Sequence, residues 1–157
     1  LNKMINVTFP DGNVRQYEEG TTALEIARSI SEGLARNVLS ARVNGDVMDA
    51  TRPIREDAMV QLLTWNDDDG KATMWHSSAH LMAEAVEALY PGAKFGIGPD
   101  IENGFYYDID LGDNVISEND FNKIEQKMLE LARQKQAFVR KNVSKQDAID
   151  YFHKKGD

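Results

Sequence analysis

At 157 residues the chain is sized for one domain or two small ones, and 41 % hydrophobic and 28 % charged residues with four prolines and 11 glycines exclude a disordered, collagen-like or low-complexity protein. No apolar run approaches the roughly 18 residues of a membrane span, and the N-terminus lacks the basic-then-apolar pattern of a secretory signal, so a cytoplasmic chain with no membrane partner is expected. The absence of cysteine removes disulfides, thiolate ligands and cysteine nucleophiles, leaving His, carboxylates, Tyr and hydroxyls for any chemistry.

The net charge of −8 is unevenly spread: −2 over residues 1–66, −10 over 67–120 and +4 over 121–157. The total argues against a protein whose main business is coating nucleic acid, since that footprint is a high pI or a basic patch. The basic tail, with Arg133, Lys135, Arg140, Lys141 and Lys145, reads either as a solvated helix face or as a segment able to touch a phosphate backbone.

Leu1-Asn2-Lys3 precede Met4, which reads as a natural start, so these three are set aside. Ile5, Val7 and Phe9 alternate with polar residues, Pro10-Asp11-Gly12 is a turn signal, and Val14 to Tyr17 return, predicting a β-hairpin. Thr22-Ala23-Leu24-Glu25 fits a capping box, and Leu24, Ala27 and Ile30 continue it at helical spacing. A strand over 38–43, the hairpin signal Asn44-Gly45 and a last strand over 59–65 follow. The acidic run 66–71 carries no apolar anchor and is expected to be a linker or exposed turn between two domains.

Residues 72–90 place Leu81, Met82, Ala85, Val86 and Leu89 on one side, predicting an amphipathic helix stopped by Pro91-Gly92. Two β-rich runs, 94–101 and 105–109, flank Glu102-Asn103-Gly104 and predict a second hairpin. Ser117 to Asp120 cap a long helix with Phe121, Ile124, Met128 and Leu131 on one face. Residues 137–143 read as a strand, and Ser144 caps a final short helix bearing Ala148, Ile149 and Phe152.

Of three histidines, His76 and His80 stand four apart in the helix of 72–90, one turn from each other and opposite the apolar stripe. Such a pair can begin a zinc site, or hydrogen-bond and act as general base near neutral pH, or form a solvated helix surface. The intervening Ser77-Ser78-Ala79 lacks the glutamate of a helical metalloprotease motif, and two imidazoles do not complete a metal site. His153, beside Phe152 and Lys154, reads as surface or packing. Gly96-Ile97-Gly98-Pro99 lacks the third glycine of a dinucleotide loop, and no G-x-x-x-x-G-K-[ST] run is present, so nucleotide binding by either motif is excluded. Tyr106 and Tyr107 are adjacent in a strand and must point to opposite faces, one to a core and one to a surface or cleft.

His76-Ser77-Ser78-Ala79-His80, Gly96-Ile97-Gly98-Pro99 and Asn103-Gly104-Phe105-Tyr106-Tyr107-Asp108, in this order and spacing, resemble the N-terminal region of the bacterial threonyl-tRNA synthetase family, over essentially the whole chain from Met4. Val7 to Gly12 and Val43-Asn44-Gly45 resemble its TGS domain, a β-grasp module. The resemblance implies an α+β protein: a TGS domain at 4–65, a linker at 66–71, and at 72–157 the first part of the editing domain, which hydrolyses serine wrongly esterified to threonine tRNA. It implies that His76, His80 and Tyr107 line the editing half-site, holding the terminal ribose and the aminoacyl ester and orienting an attacking water. In the related alanyl-tRNA editing proteins the same His-x-x-x-His begins a zinc site, but no metal is carried over here and no cofactor is expected in this chain.

ATP and zinc are implied for the family's catalytic domain, tRNA as its partner and a homodimer for the parent through that domain; this chain alone is expected to be monomeric. The family's editing pocket is completed by a later cysteine-and-histidine segment, and the chain stops at Gly156-Asp157 ahead of it, so an inactive N-terminal fragment is expected. Two other readings stand beside this one: a TGS-bearing regulatory or nucleotide-binding module, and a stand-alone metal hydrolase built on His76 and His80.

Overall fold

The computed structural model describes residues 2–156; Leu1, one of the three set aside, and Asp157, the last residue of the second predicted domain, lie outside the described residues. Two compact units emerge, one comprising the chain up to Ser77 plus Asp100–Gly104, the other Ser78–Pro99 and the chain from Phe105 onward.

The first unit is built on a five-stranded sheet in the order β2-β1-β5-β3-β4. Strands β1 (Met4–Thr8) and β2 (Val14–Glu18) form the predicted antiparallel hairpin, with Ile5 opposite Tyr17 and Val7 opposite Arg15. Its turn is held by Asp11, whose carboxylate accepts from the Asn13 backbone N–H at 2.9 Å, and by Gly12 at φ +86°. Helix α1 (Ala23–Ile30) starts at the predicted capping box: the Glu25 N–H donates to the Thr22 hydroxyl at 3.2 Å and the Glu25 carboxylate accepts from the Thr22 N–H at 2.8 Å. Ser31 then closes α1 and, by accepting from the Leu34 N–H at 3.0 Å, opens a short helix α2 (Glu32–Asn37) that was not among the expected elements.

Strands β3 (Ser40–Val43) and β4 (Asp46–Asp49) turn at Asn44-Gly45, whose φ values of 50° and 93° are those of the tight hairpin that Asn-Gly favours. Strand β5 (Ala58–Leu63) enters the middle of the sheet, parallel to β1 and antiparallel to β3. This crossover of the last strand between the first hairpin and the second is the β-grasp arrangement. Inward residues of the strands, among them Ile5, Val7, Val43 and Val60, close on Ile26 of α1 to form the core.

Residues 66–71 are the stretch expected to be a linker or exposed turn. Helix α3 (Asp68–Leu89) begins inside them. The Asp67 carboxylate accepts from the Thr64 backbone N–H at 2.8 Å, the Asp67 N–H returns to the Thr64 carbonyl at 3.0 Å, and Asp69 pairs with Arg42 of β3. Gly70 is buried so close to Thr64 that a Cβ built on it would lie 1.9 Å from the Thr64 carbonyl oxygen. Acidic residues are favourable where a helix starts, because its first N–H groups present partial positive charge; the same run that resembles a solvated linker is therefore a good first turn.

The second unit holds the rest of α3, strands β6 (Lys94–Phe95) and β9 (Ile109–Asp110), and helices α4 (Glu118–Arg133) and α5 (Lys145–Lys155). Its core is Ala85, Val86, Ala93 and Ile124, lined by half-buried Met82, Phe95, Ile109 and Met128. Ala83, on the histidine side of α3, is buried as well, so the covered surface of the helix is wider than the predicted stripe, while Leu89 is more than a third exposed.

The predicted hairpin exists, but as two short ladders. β6 pairs with β9, and β7 (Asp100–Ile101) with β8 (Gly104–Phe105). Between them single hydrogen bonds keep the arms in register, from the Gly96 N–H to the Asp108 carbonyl (2.8 Å), the Asp108 N–H to the Ile97 carbonyl (2.9 Å) and the Tyr106 N–H to the Pro99 carbonyl (3.1 Å). Pro99 has no N–H to contribute, which interrupts the ladder there. Residues 137–143 form no strand: Phe138 is 86 % and Val139 76 % exposed, and among the described residues no strand lies alongside to accept them. Apolar alternation creates a strand only where a neighbour completes its hydrogen bonds.

Candidate functional site

A hollow of about 560 Å³ in the second unit lies where one side of α3 faces β6, the return arm of the hairpin and α5. From α3 come His80, then Ala83 and Glu84 three and four residues on, then Glu87 a further turn along, which puts them on one side of the helix. Lys94 and Phe95 of β6, Tyr107 of the hairpin, and Phe152 and Lys155 of α5 complete the lining.

The walls carry two carboxylates and two ammonium groups. One pair is joined, Lys155 Nζ lying 3.7 Å from Glu87 Oε1. At this separation and with both side chains half exposed, the pair contributes little to stability, though it balances charge at the rim. Away from the cavity, Asp11, Glu25, Asp57 and Asp120 are each held below the ordinary carboxylate range, chiefly through hydrogen bonds to the charged form.

Two of the three residues expected in the editing half-site, His80 and Tyr107, therefore meet in one cavity. His76, one turn earlier on α3, is exposed, belongs to the first unit and is not among the cavity's lining residues. Tyr106 and Tyr107 fall between β8 and β9 rather than in a strand, yet the pair divides as expected: Tyr106 is 67 % exposed, whereas Tyr107 is half-buried, its ring and that of Phe95 meeting edge to face with centroids 5.6 Å apart. His153 sits exposed on α5, as its neighbours suggested. Glu84 was within reach of the sequence, standing one turn after His80 on the same helix, whereas Lys94 and Phe152 had no signal there, because each reaches the cavity from an element whose position depends on packing. Among the described residues no group of three His, Cys, Asp or Glu could hold a metal, so the donor set falls short of the three protein ligands a catalytic zinc takes.

Residues 5–64 match the TGS domain family. Along 154 residues, 98 % of the chain, it is 64 % identical to a threonine-tRNA ligase of Cytophaga hutchinsonii and 58 % identical to one of Parabacteroides distasonis. A threonine-tRNA ligase of Porphyromonas gingivalis is 56 % identical over 155 residues. The chain matches the N-terminal part of threonine-tRNA ligases. It spans about a quarter of the length of these curated relatives, 24 % in each case. The β-grasp sheet of the first unit is thus the TGS domain, in an α+β protein whose TGS region is followed by helices. A TGS module attached to a regulatory or nucleotide-hydrolysing domain is not the relationship these matches describe, since they continue through α5.

Proposed function

We propose that this chain serves in a threonine-tRNA ligase that joins threonine to its tRNA with ATP, and that residues 72–157 provide half of the pocket that hydrolyses mischarged seryl-tRNA. The observation that carries the reading is the meeting of His80 and Tyr107 in one cavity, at a place where spacing alone linked only His76 and His80.

The need for such a pocket is physical. Serine differs from threonine by one methyl group, and a binding site gains only about 1–3 kcal/mol from a methyl or methylene, too little to reject serine strongly. A second site acting on the ester can discriminate by what it admits. The imidazole of His80 and the phenol of Tyr107 are suited to hold the terminal ribose and the ester and to orient water, and both can donate and accept hydrogen bonds near neutral pH. His76, one turn earlier on the same helix, is counted in the half-site in this reading. ATP and zinc belong to the ligation reaction; among the described residues no group of three His, Cys, Asp or Glu fits a zinc site. Cytoplasmic tRNA is the partner in this reading.

The test is deacylation of seryl-tRNA by the 157-residue chain, with an intact threonine-tRNA ligase alongside. No turnover above the spontaneous rate is expected, together with weak binding of a seryl-adenosine analogue whose ester is replaced by an amide. Turnover comparable with the intact enzyme would overturn the half-site, and no detectable binding would remove the cavity from it.

A further inference from the structure

The Tyr107 ring has a second neighbour besides Phe95. A Cβ built on Gly98 would lie 2.6 Å from both Cδ2 and Cε2 of Tyr107 and 3.1 Å from its Cγ, well inside van der Waals contact. Gly98 lacks the positive φ that makes glycine necessary at other turns of this chain. Its requirement is therefore steric and concerns one side chain. The contrast with Gly96 in the same loop is informative: a Cβ there would meet Asp108 Cβ at 3.2 Å, a contact that a small shift relieves.

We propose that Gly98 is the positioning residue for Tyr107: its missing side chain lets the ring lie against the loop, with Phe95 at its edge, and so keeps the phenol in the cavity wall that includes His80. The inference rests on the proposed function only for what the phenol does, not for how it is held. Three backbone hydrogen bonds bracket the site, so the loop cannot easily retreat from a new methyl group: Gly96 to Asp108, Asp108 to Ile97 and Tyr106 to Pro99. The ring is the part that moves. Restoring normal contact with a methyl at position 98 needs a displacement on the order of 1 Å, a misplacement that can cost a catalytic site up to about a hundredfold.

The experiment uses the full chain in solution and reads proton NMR first. In the native protein the Gly98 α-protons should be displaced by the Tyr107 ring current, and Tyr107→Leu should return them toward ordinary values. Gly98→Ala should shift the Tyr107 ring resonances and weaken the amide analogue of seryl-adenosine roughly tenfold, a change of about 1.4 kcal/mol. Gly96→Ala should do neither. If Gly98→Ala fails to fold, the double variant Gly98→Ala/Tyr107→Ala decides, because removing the ring should restore the fold.

Gly98 α-protons unmoved by Tyr107→Leu, Tyr107 resonances unmoved by Gly98→Ala, or a double variant as damaged as the single would overturn the assignment. Failure of the native chain to bind the analogue would count against the half-site, and the NMR readout would still decide the role of Gly98.

Discussion

The two units solve the problem of burial differently. In the first, five strands share one sheet and a helix covers it, so Ile5, Val7, Ile26 and Val60 are all sealed from solvent. In the second, paired strands are two residues long, the buried core is three small or medium side chains and Ile124, and Phe138, Val139 and Val143 stand exposed. A continuous sheet lets each strand complete its neighbour's hydrogen bonds while adding to a common apolar layer; short ladders bring groups together around a cavity but seal little. The first arrangement favours stability. The second leaves room for a ligand.

The sharpest way to break the contrast is to delete equivalent atoms from the two cores. Ile26→Ala should cost about 2–5 kcal/mol, the usual range for a buried isoleucine. Trp65 and Trp75, whose rings meet edge-on with centroids 5.6 Å apart, both lie in the first unit, so tryptophan fluorescence during urea unfolding follows that unit. Ile124→Ala should move the fluorescence midpoint less than Ile26→Ala while altering the NMR spectrum of α4. Equal movement of the midpoint by both would mean that the cores are one cooperative structure.

Next in size is the cap of α1. Thr22→Ala removes the hydroxyl that accepts from the Glu25 N–H and should cost about 1 kcal/mol, read from the same fluorescence midpoint. The smallest expected effect depends on pH. The Asp57 carboxylate accepts from the backbone N–H of Asn6 at 2.7 Å and from its amide at 3.1 Å, which holds its pKa below the ordinary value. A group whose pKa is depressed by folding stabilises the native state above its unfolded pKa, for Asp about 3.9, and loses that contribution as pH falls through the folded value. Asp57→Asn should therefore flatten the acid limb of a melting-temperature profile below about pH 4 and leave its neutral region parallel to the native curve. An unchanged acid limb would show that this bond does not stabilise the sheet.

These differences also explain what could be read ahead of the structure. The first unit was legible because its signals are local: Asn44-Gly45 specifies a turn, Thr22 and Glu25 specify a helix start, and alternation in β1 specifies a face. The helix start inside 66–71 was not legible, because an acidic polar run describes a linker and a helix first turn equally well. What distinguishes them here is the approach of Gly70 to Thr64, a contact visible only in three dimensions. Residues 137–143 were misread for the converse reason, since their pattern is that of a strand and the deciding fact is the lack of a neighbour among the described residues. At the cavity, helical spacing joined His76 to His80, and only the family resemblance added Tyr107; the structure instead brings His80 to Tyr107, with Gly98 behind the ring.

The order of the first sheet has a consequence for behaviour at high concentration. Its outermost strands are β2 and β4, and both carry charge along the unpaired margin of the sheet: Arg15 and Glu18 on one, Asp46 and Asp49 on the other. An unguarded margin of N–H and carbonyl groups would recruit a strand from another molecule and begin aggregation. Short strands bearing ionised side chains make that recruitment costly, while β1, β5 and β3 have neighbours on both sides and present no free margin to a second molecule.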